Sequence, residues 1–115
     1  MKPPVVWVID NEQWPRACLR AELIERGYDV YGFTNIDDAL RFPRPDVIVL
    51  ELRGQNLSDD SIARVSDLQI PTIVLGGNME LNEPAILQTN WNLVLKRPVS
   101  LGTIADAVQK IARNI

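Results

Sequence analysis

The sequence predicts an α/β fold: a doubly wound parallel sheet with helices on both faces, made of five successive β–α units. Two observations predict it. Runs such as Val5-Val6-Trp7-Val8-Ile9 and Val47-Ile48-Val49-Leu50 are apolar at every position, as a strand is when both sides of its sheet are covered. Between these runs lie segments with apolar residues at helical spacing, so strands alternate with helices through short connections, as in the crossover units of a parallel sheet.

The elements follow in order. Val5 to Ile9 forms the first strand. Leu19 and Leu23, four apart among Arg16, Arg20, Glu22, Glu25 and Arg26, mark a helix from about Pro15 to Arg26, closed by Gly27. Tyr28 to Phe33 alternates and makes the second strand. Asn35 offers an N-cap, with Asp37 and Asp38 in a first turn that favours negative charge, and Pro43 and Pro45 end that short helix. Val47 to Leu50 is the third strand. Ser58 with Asp59 and Asp60 opens a third helix that buries Ile62 and Val65. Thr72 to Leu75 is the fourth strand, broken by Gly76-Gly77. Asn82 is the expected cap of a fourth helix over Glu83 to Gln88, and Trp91 to Leu95 the fifth strand. Ser100 caps a last helix with Leu101, Ile104, Ala105, Val108, Ile111 and Ala112 on one stripe.

Composition narrows the chemistry. Of 115 residues, 46% are apolar and 23% charged, the proportions of a globular domain rather than a disordered chain. The longest apolar run is the first strand itself, far below the ~20 residues that cross a bilayer, and no basic, apolar leader precedes it. With the single Cys18, this points to the reducing cytoplasm. A net charge of −3 argues against direct contact with nucleic acid. The absence of histidine excludes His-dependent acid–base devices and most zinc sites.

In open parallel sheets, sites form beyond the carboxyl ends of the strands. There stand Asp10, Asn11 and Glu12 after the first strand, Glu51 after the third, Gly76 after the fourth, and Lys96-Arg97-Pro98 after the fifth. Together with Arg26-Gly27-Tyr28-Asp29-Val30, Asp38-Ala39-Leu40, Pro45-Asp46-Val47-Ile48-Val49-Leu50 and Ile70-Pro71-Thr72-Ile73-Val74-Leu75, this order resembles the receiver domains of bacterial two-component response regulators along essentially the whole chain. The resemblance implies strand order 2-1-3-4-5 and a site in which an Asp ending the third strand accepts a phosphoryl group from a histidine kinase. It further implies an acidic pair holding Mg²⁺, a Ser or Thr ending the fourth strand, and a Lys before the Pro of the fifth.

Carried over position by position, Asp10 keeps the first acid, Asn11 replaces the second, Glu51 takes the acceptor position, Gly76 lacks the hydroxyl and Arg97 stands for the lysine. Strand alternation turns Lys96 to the other face. Val94 falls where the switching aromatic would lie. The resemblance therefore implies a degenerate pocket, a pseudo-receiver without catalysis or a phosphorylation cycle. Its cation site is weak or absent, with Asp10, Glu12 and Glu51 as the ligands of any Mg²⁺; no other cofactor is expected. Phosphoryl transfer is sensitive to misplacement of about 1 Å, roughly what the extra methylene of Glu51 introduces. Two readings of Glu51 remain open: a permanent phosphate mimic reaching Arg97, or simple charge neutralisation. Both place the two side chains in contact.

Residues 1–115 read as one receiver-like domain, either whole or the N-terminal domain of a longer protein with its output after Ile115. The expected partner is a protein, a fused output domain or a second copy, met through the fourth helix, fifth strand and last helix, with Trp91, Val94 and Lys96 on that surface. Direct nucleic-acid and membrane contacts are not expected. Trp7 reads as core, Trp14 as a helix entrance or a partner contact, and Cys18 as packing. Two rival readings stay open: a working phosphoacceptor, and a small-molecule or nucleotide-binding module of flavodoxin type.

Overall fold

Each all-apolar run becomes a strand of one parallel sheet in the computed structural model, which describes residues 2–115. In chain order the elements are β1 (Val5–Ile9), α1 (Gln13–Glu25), β2 (Asp29–Phe33), α2 (Ile36–Ala39), β3 (Val47–Glu51), α3 (Asp59–Ser66), β4 (Thr72–Gly76), α4 (Asn78–Leu81), α5 (Pro84–Leu87), β5 (Leu93–Lys96) and α6 (Leu101–Ala112). The sheet order is β2-β1-β3-β4-β5, so β1, β3 and β4 are central and β2 and β5 are edges.

Period-two alternation splits the core into two layers. Trp7, Ile9, Ile48, Leu50 and Val74 face α2, α3 and α5. Val6, Val8, Val47, Val49, Ile73 and Leu75 face α1 and α6. The fully apolar strands are thus explained by burial on both sides, which is what made them legible. Trp7 closes the first layer edge-on against Phe33, with ring centroids 5.5 Å apart.

Caps set the helix ends. Asn35, Ser58 and Ser100 accept backbone N–H groups at the starts of α2, α3 and α6. Gly27, with φ of 98°, supplies the left-handed residue after α1.

Two expected elements differ. The expected helix over Glu83 to Gln88 is α5, capped by Glu83 rather than Asn82, and an additional turn, α4, precedes it, begun by Gly77, whose N–H donates to Glu80 Oε1 at 2.7 Å. Asn82 closes that turn, donating from Nδ2 to the Asn78 carbonyl at 2.7 Å, and Glu83-Pro84 starts α5 with Pro at a position that needs no N–H. The fifth strand begins at Leu93 rather than Trp91. The Asn92 side chain accepts the Thr72 N–H at 2.9 Å, taking the place of a ladder bond, and regular pairing starts with Leu93 opposite Ile73. Among the described residues no helix is long and apolar enough to cross a membrane.

Candidate functional site

The carboxyl ends of β1, β3, β4 and β5 bring Asp10, Glu51, Gly76 and Arg97 to one rim. Register is what aligns them: the Asp10 N–H bonds the Phe33 carbonyl, and the Arg97 N–H bonds the Gly76 carbonyl at 2.8 Å. Asp10 and Glu51 are buried, at 6% and 3% exposure. A buried carboxylate requires charge or hydrogen-bond compensation, and each finds it in a guanidinium.

Glu51 Oε2 accepts from Arg97 Nη1 and from the Arg53 backbone N–H at 2.9 Å. The other arm of Arg97, Nη2, donates to Glu80 Oε1 at 2.7 Å. Arg97 is therefore a bridge between β3 and α4. Burial alone would lower its pKa, but hydrogen bonds to Glu51 and Glu80 outweigh this and raise it. Glu80 is held below its ordinary value of 4.5, first by the Gly77 N–H and, against its partial burial, by Arg97.

A second bridge lies beside the first. Asp10 Oδ1 accepts the Glu12 N–H at 2.9 Å and lies 3.6 Å from Arg53 Nη2. Arg53 Nε stands 2.8 Å from Glu12 Oε1, close enough for ion pairing but outside the angle of a hydrogen bond. Four carboxylates thus share two guanidiniums.

Asn11 is exposed and packs against the next loop: at Gly54, with φ of 75°, a Cβ would lie 2.8 Å from Asn11 Cγ. Gly76 is enclosed, since a Cβ there would meet Leu81 and Leu52 at 3.1 and 3.2 Å. Lys96 and Val94 point to solvent on β5. Trp91 is half-buried: its indole N–H donates to the Ile86 carbonyl at 3.0 Å and its ring packs on the core. Beside the paired acids, a cleft of about 470 Å³ runs between α1 and the turn into α6. Trp14, 77% exposed, and the half-buried Cys18 line it.

No family model matches this chain, and no curated protein does. Solved structures do. The chain is similar to the signal receiver domain of a histidine kinase from Syntrophus aciditrophicus, with TM-score 0.79, 19% identity, and coverage of 97% of this chain and 92% of that one. A response regulator from Thermotoga maritima gives TM-score 0.75 at 20% identity, covering 95% and 97%. The chain has the receiver fold. NtrX from Brucella abortus, solved in complex with ATP, carries the same fold as 28% of its length, matching 99% of this chain with TM-score 0.77 at 16% identity.

Receiver folds imply Mg²⁺ at this rim, and the residues here do not fit it. A hard cation needs several free, preferably anionic oxygens. At Asp10 and Glu51 guanidinium and amide donors already face the carboxylates, and Asn11 is turned to the Gly54 loop. Among the described residues no three metal-ligating side chains gather at ligand spacing. Sequence reading missed Glu80 and Arg53. Glu80 is hidden because a helix start at Asn82 leaves it in a turn, and Arg53 because only the loop after β3 brings it back over Asp10. The one signal was numerical: Arg97 alone faces more acids at the rim than one cation balances.

Proposed function

We propose that this chain is a receiver-like signalling domain of a bacterial two-component system that acts by protein contact, without a phosphorylation cycle and without catalysis. One observation carries the reading: the Glu51 carboxylate, at the acceptor position, is fixed by Arg97 and the Arg53 N–H. An oxygen engaged with two donors is a poor in-line nucleophile, and the neighbouring carboxylates are paired with Arg97 and Arg53 rather than open to a divalent cation.

A domain that cannot be switched by phosphate still offers a surface. Met79, Leu87 and Val94 are exposed large apolar residues on α4, α5 and β5, and Leu87 and Val94 line a groove with Leu81, Ile86 and Trp91. This face suits a partner protein or an output domain of the same polypeptide, with a second copy as the other occupant.

The test is intact-mass analysis after incubation with acetyl phosphate and Mg²⁺, with amide NMR spectra before and after beryllofluoride. No adduct and an unchanged spectrum are expected. A phosphate adduct on Glu51 or Asp10, or shifts spread over the domain, ends this reading in favour of a working phosphoacceptor. Glu51→Gln then separates the two roles of the pair. A phosphate mimic loses partner binding along with stability, whereas a neutralising pair loses stability only.

A further inference from the structure

The opposite edge of the sheet carries a second charged feature. Here β2 ends the sheet, and its pairing to β1 fixes which backbone groups remain open. The Asp29 N–H donates to the Pro4 carbonyl at 3.0 Å, and the Phe33 carbonyl accepts from Asp10 at 2.9 Å. Alternation then turns the backbone N–H and C=O of Val30 and Gly32 outward. One contact marks this direction independently: Arg20 Nε donates to the Val30 carbonyl at 3.2 Å.

Two grooves meet at Gly32. One is bounded by Arg16, Arg20 and Ile24 of α1 with Glu25, the other by Arg41 and Phe42 after α2 with Asp38. Arg16, Arg20 and Arg41 make no ion pair, whereas Arg26, Arg53, Arg64 and Arg97 all do. The apolar neighbours are exposed too, Tyr31 at 44% and Phe42 at 50%. Gly32 leaves the approach to the strand unobstructed except by the flexible Arg16 side chain, 3.3 Å from where a Cβ would sit.

We propose that the open edge of β2 docks an extended acidic segment of a partner protein, which adds a strand beside Val30–Gly32 while its carboxylates meet Arg16, Arg20 and Arg41. Strand addition supplies sequence-independent hydrogen bonds. The three arginines on both sides of the edge outnumber Glu25 and Asp38 beside them and supply the preference for acid, in a chain whose net charge of −3 would otherwise repel it. A segment alternating acidic and apolar residues fits best, since its apolar side chains would lie along Tyr31 or Phe42. This surface adjoins the rim through Arg16, whose Nη1 donates to the Asp10 carbonyl at 2.8 Å, but its test is independent of the phosphorylation experiment.

The probe is a labelled peptide alternating Glu and Val, followed by fluorescence anisotropy and amide NMR on the intact chain, with a Lys–Val peptide of equal length as control. The Glu–Val peptide is expected to bind, to shift the Val30–Phe33 amides and to slow hydrogen exchange at Val30 and Gly32. The combined Arg16→Gln, Arg20→Gln and Arg41→Gln variant is expected to weaken it roughly tenfold or more while melting normally. Equal binding of the Lys–Val peptide, shifts confined to other elements, or tighter binding of single-stranded DNA or anionic vesicles overturns the proposal. Unchanged peptide binding by a variant that now self-associates also overturns it, making the arginines guards of an exposed edge.

Discussion

The rim and the β2 edge hold the same functional group in opposite conditions. At the rim, Arg97 and Arg53 each stand between two carboxylates, one of which in each case, Glu51 and Asp10, is buried. At the edge, Arg20 holds a carbonyl of β2, Arg16 reaches back to the Asp10 carbonyl at 2.8 Å, and neither meets an acid. A charge that is paired and buried is committed to the fold. One that is solvated and unpaired contributes little to folding and stays available to a partner. In a phosphorylatable site, cation and acceptor need the first kind of placement with the second kind of freedom. Here the rim carboxylates are held by Arg97 and Arg53.

The largest expected effect comes from breaking the rim. Arg97→Ala leaves Glu51 buried with its cation gone and cuts the tie from β3 to α4. Removing one partner of a buried pair costs about 3 kcal/mol, the lower end of the range, because Arg97 is partly exposed. Urea denaturation measures it, and a loss under about 1 kcal/mol would mean that Glu51 is stabilised mainly by the Arg53 N–H. Adding Glu51→Gln to Arg97→Ala sharpens the result. If stranded charge is the cause, the double variant recovers much of the loss, and the two changes are far from additive.

A smaller effect is expected at Gly76. Restoring a hydroxyl by Gly76→Ser looks harmless from the sequence, yet the new Cβ would meet Leu81 and Leu52 at 3.1 and 3.2 Å. Overpacking of this kind costs roughly 1–2 kcal/mol where the neighbours can yield only in part. Thermal or urea unfolding tests it; unchanged stability would show that Leu81 simply swings away. The Leu81 and Leu52 side chains fill the space a side chain at 76 would occupy, and how far they yield sets the size of the loss.

These two positions show where sequence reading reached and where it stopped. The strands were legible because burial on both faces forces unbroken apolar runs, and Asn35, Ser58 and Ser100 announced their helices by a local side-chain bond. Glu51 and Arg97 could be placed at the rim because strand ends converge there. The extra turn α4 was not legible: it depends on Glu80 reaching back to the Gly77 N–H while also holding Arg97, one local bond and one 17 residues away. Asn92 misled for a similar reason. A side chain that substitutes for a strand's backbone bond leaves no periodic trace. The partnership of Arg53 with Asp10 likewise needs the positive φ of Gly54 and the fold of the loop after β3.

The edge should be nearly silent in the same assay. Arg20→Gln removes one part-buried hydrogen bond to the Val30 carbonyl, and Arg41→Gln removes an exposed charge that forms no ion pair among the described residues. Surface substitutions of this sort change stability by about 0.5 kcal/mol or less. Added salt should leave even that small difference unchanged, because no ion pair is screened. Losses near 2 kcal/mol in urea would place these arginines in the folding energetics and erase their contrast with Arg97. Near-zero losses leave α1 carrying arginines along an open strand for some reason other than folding, and the cost of Arg97→Ala then measures what full commitment of the same group looks like.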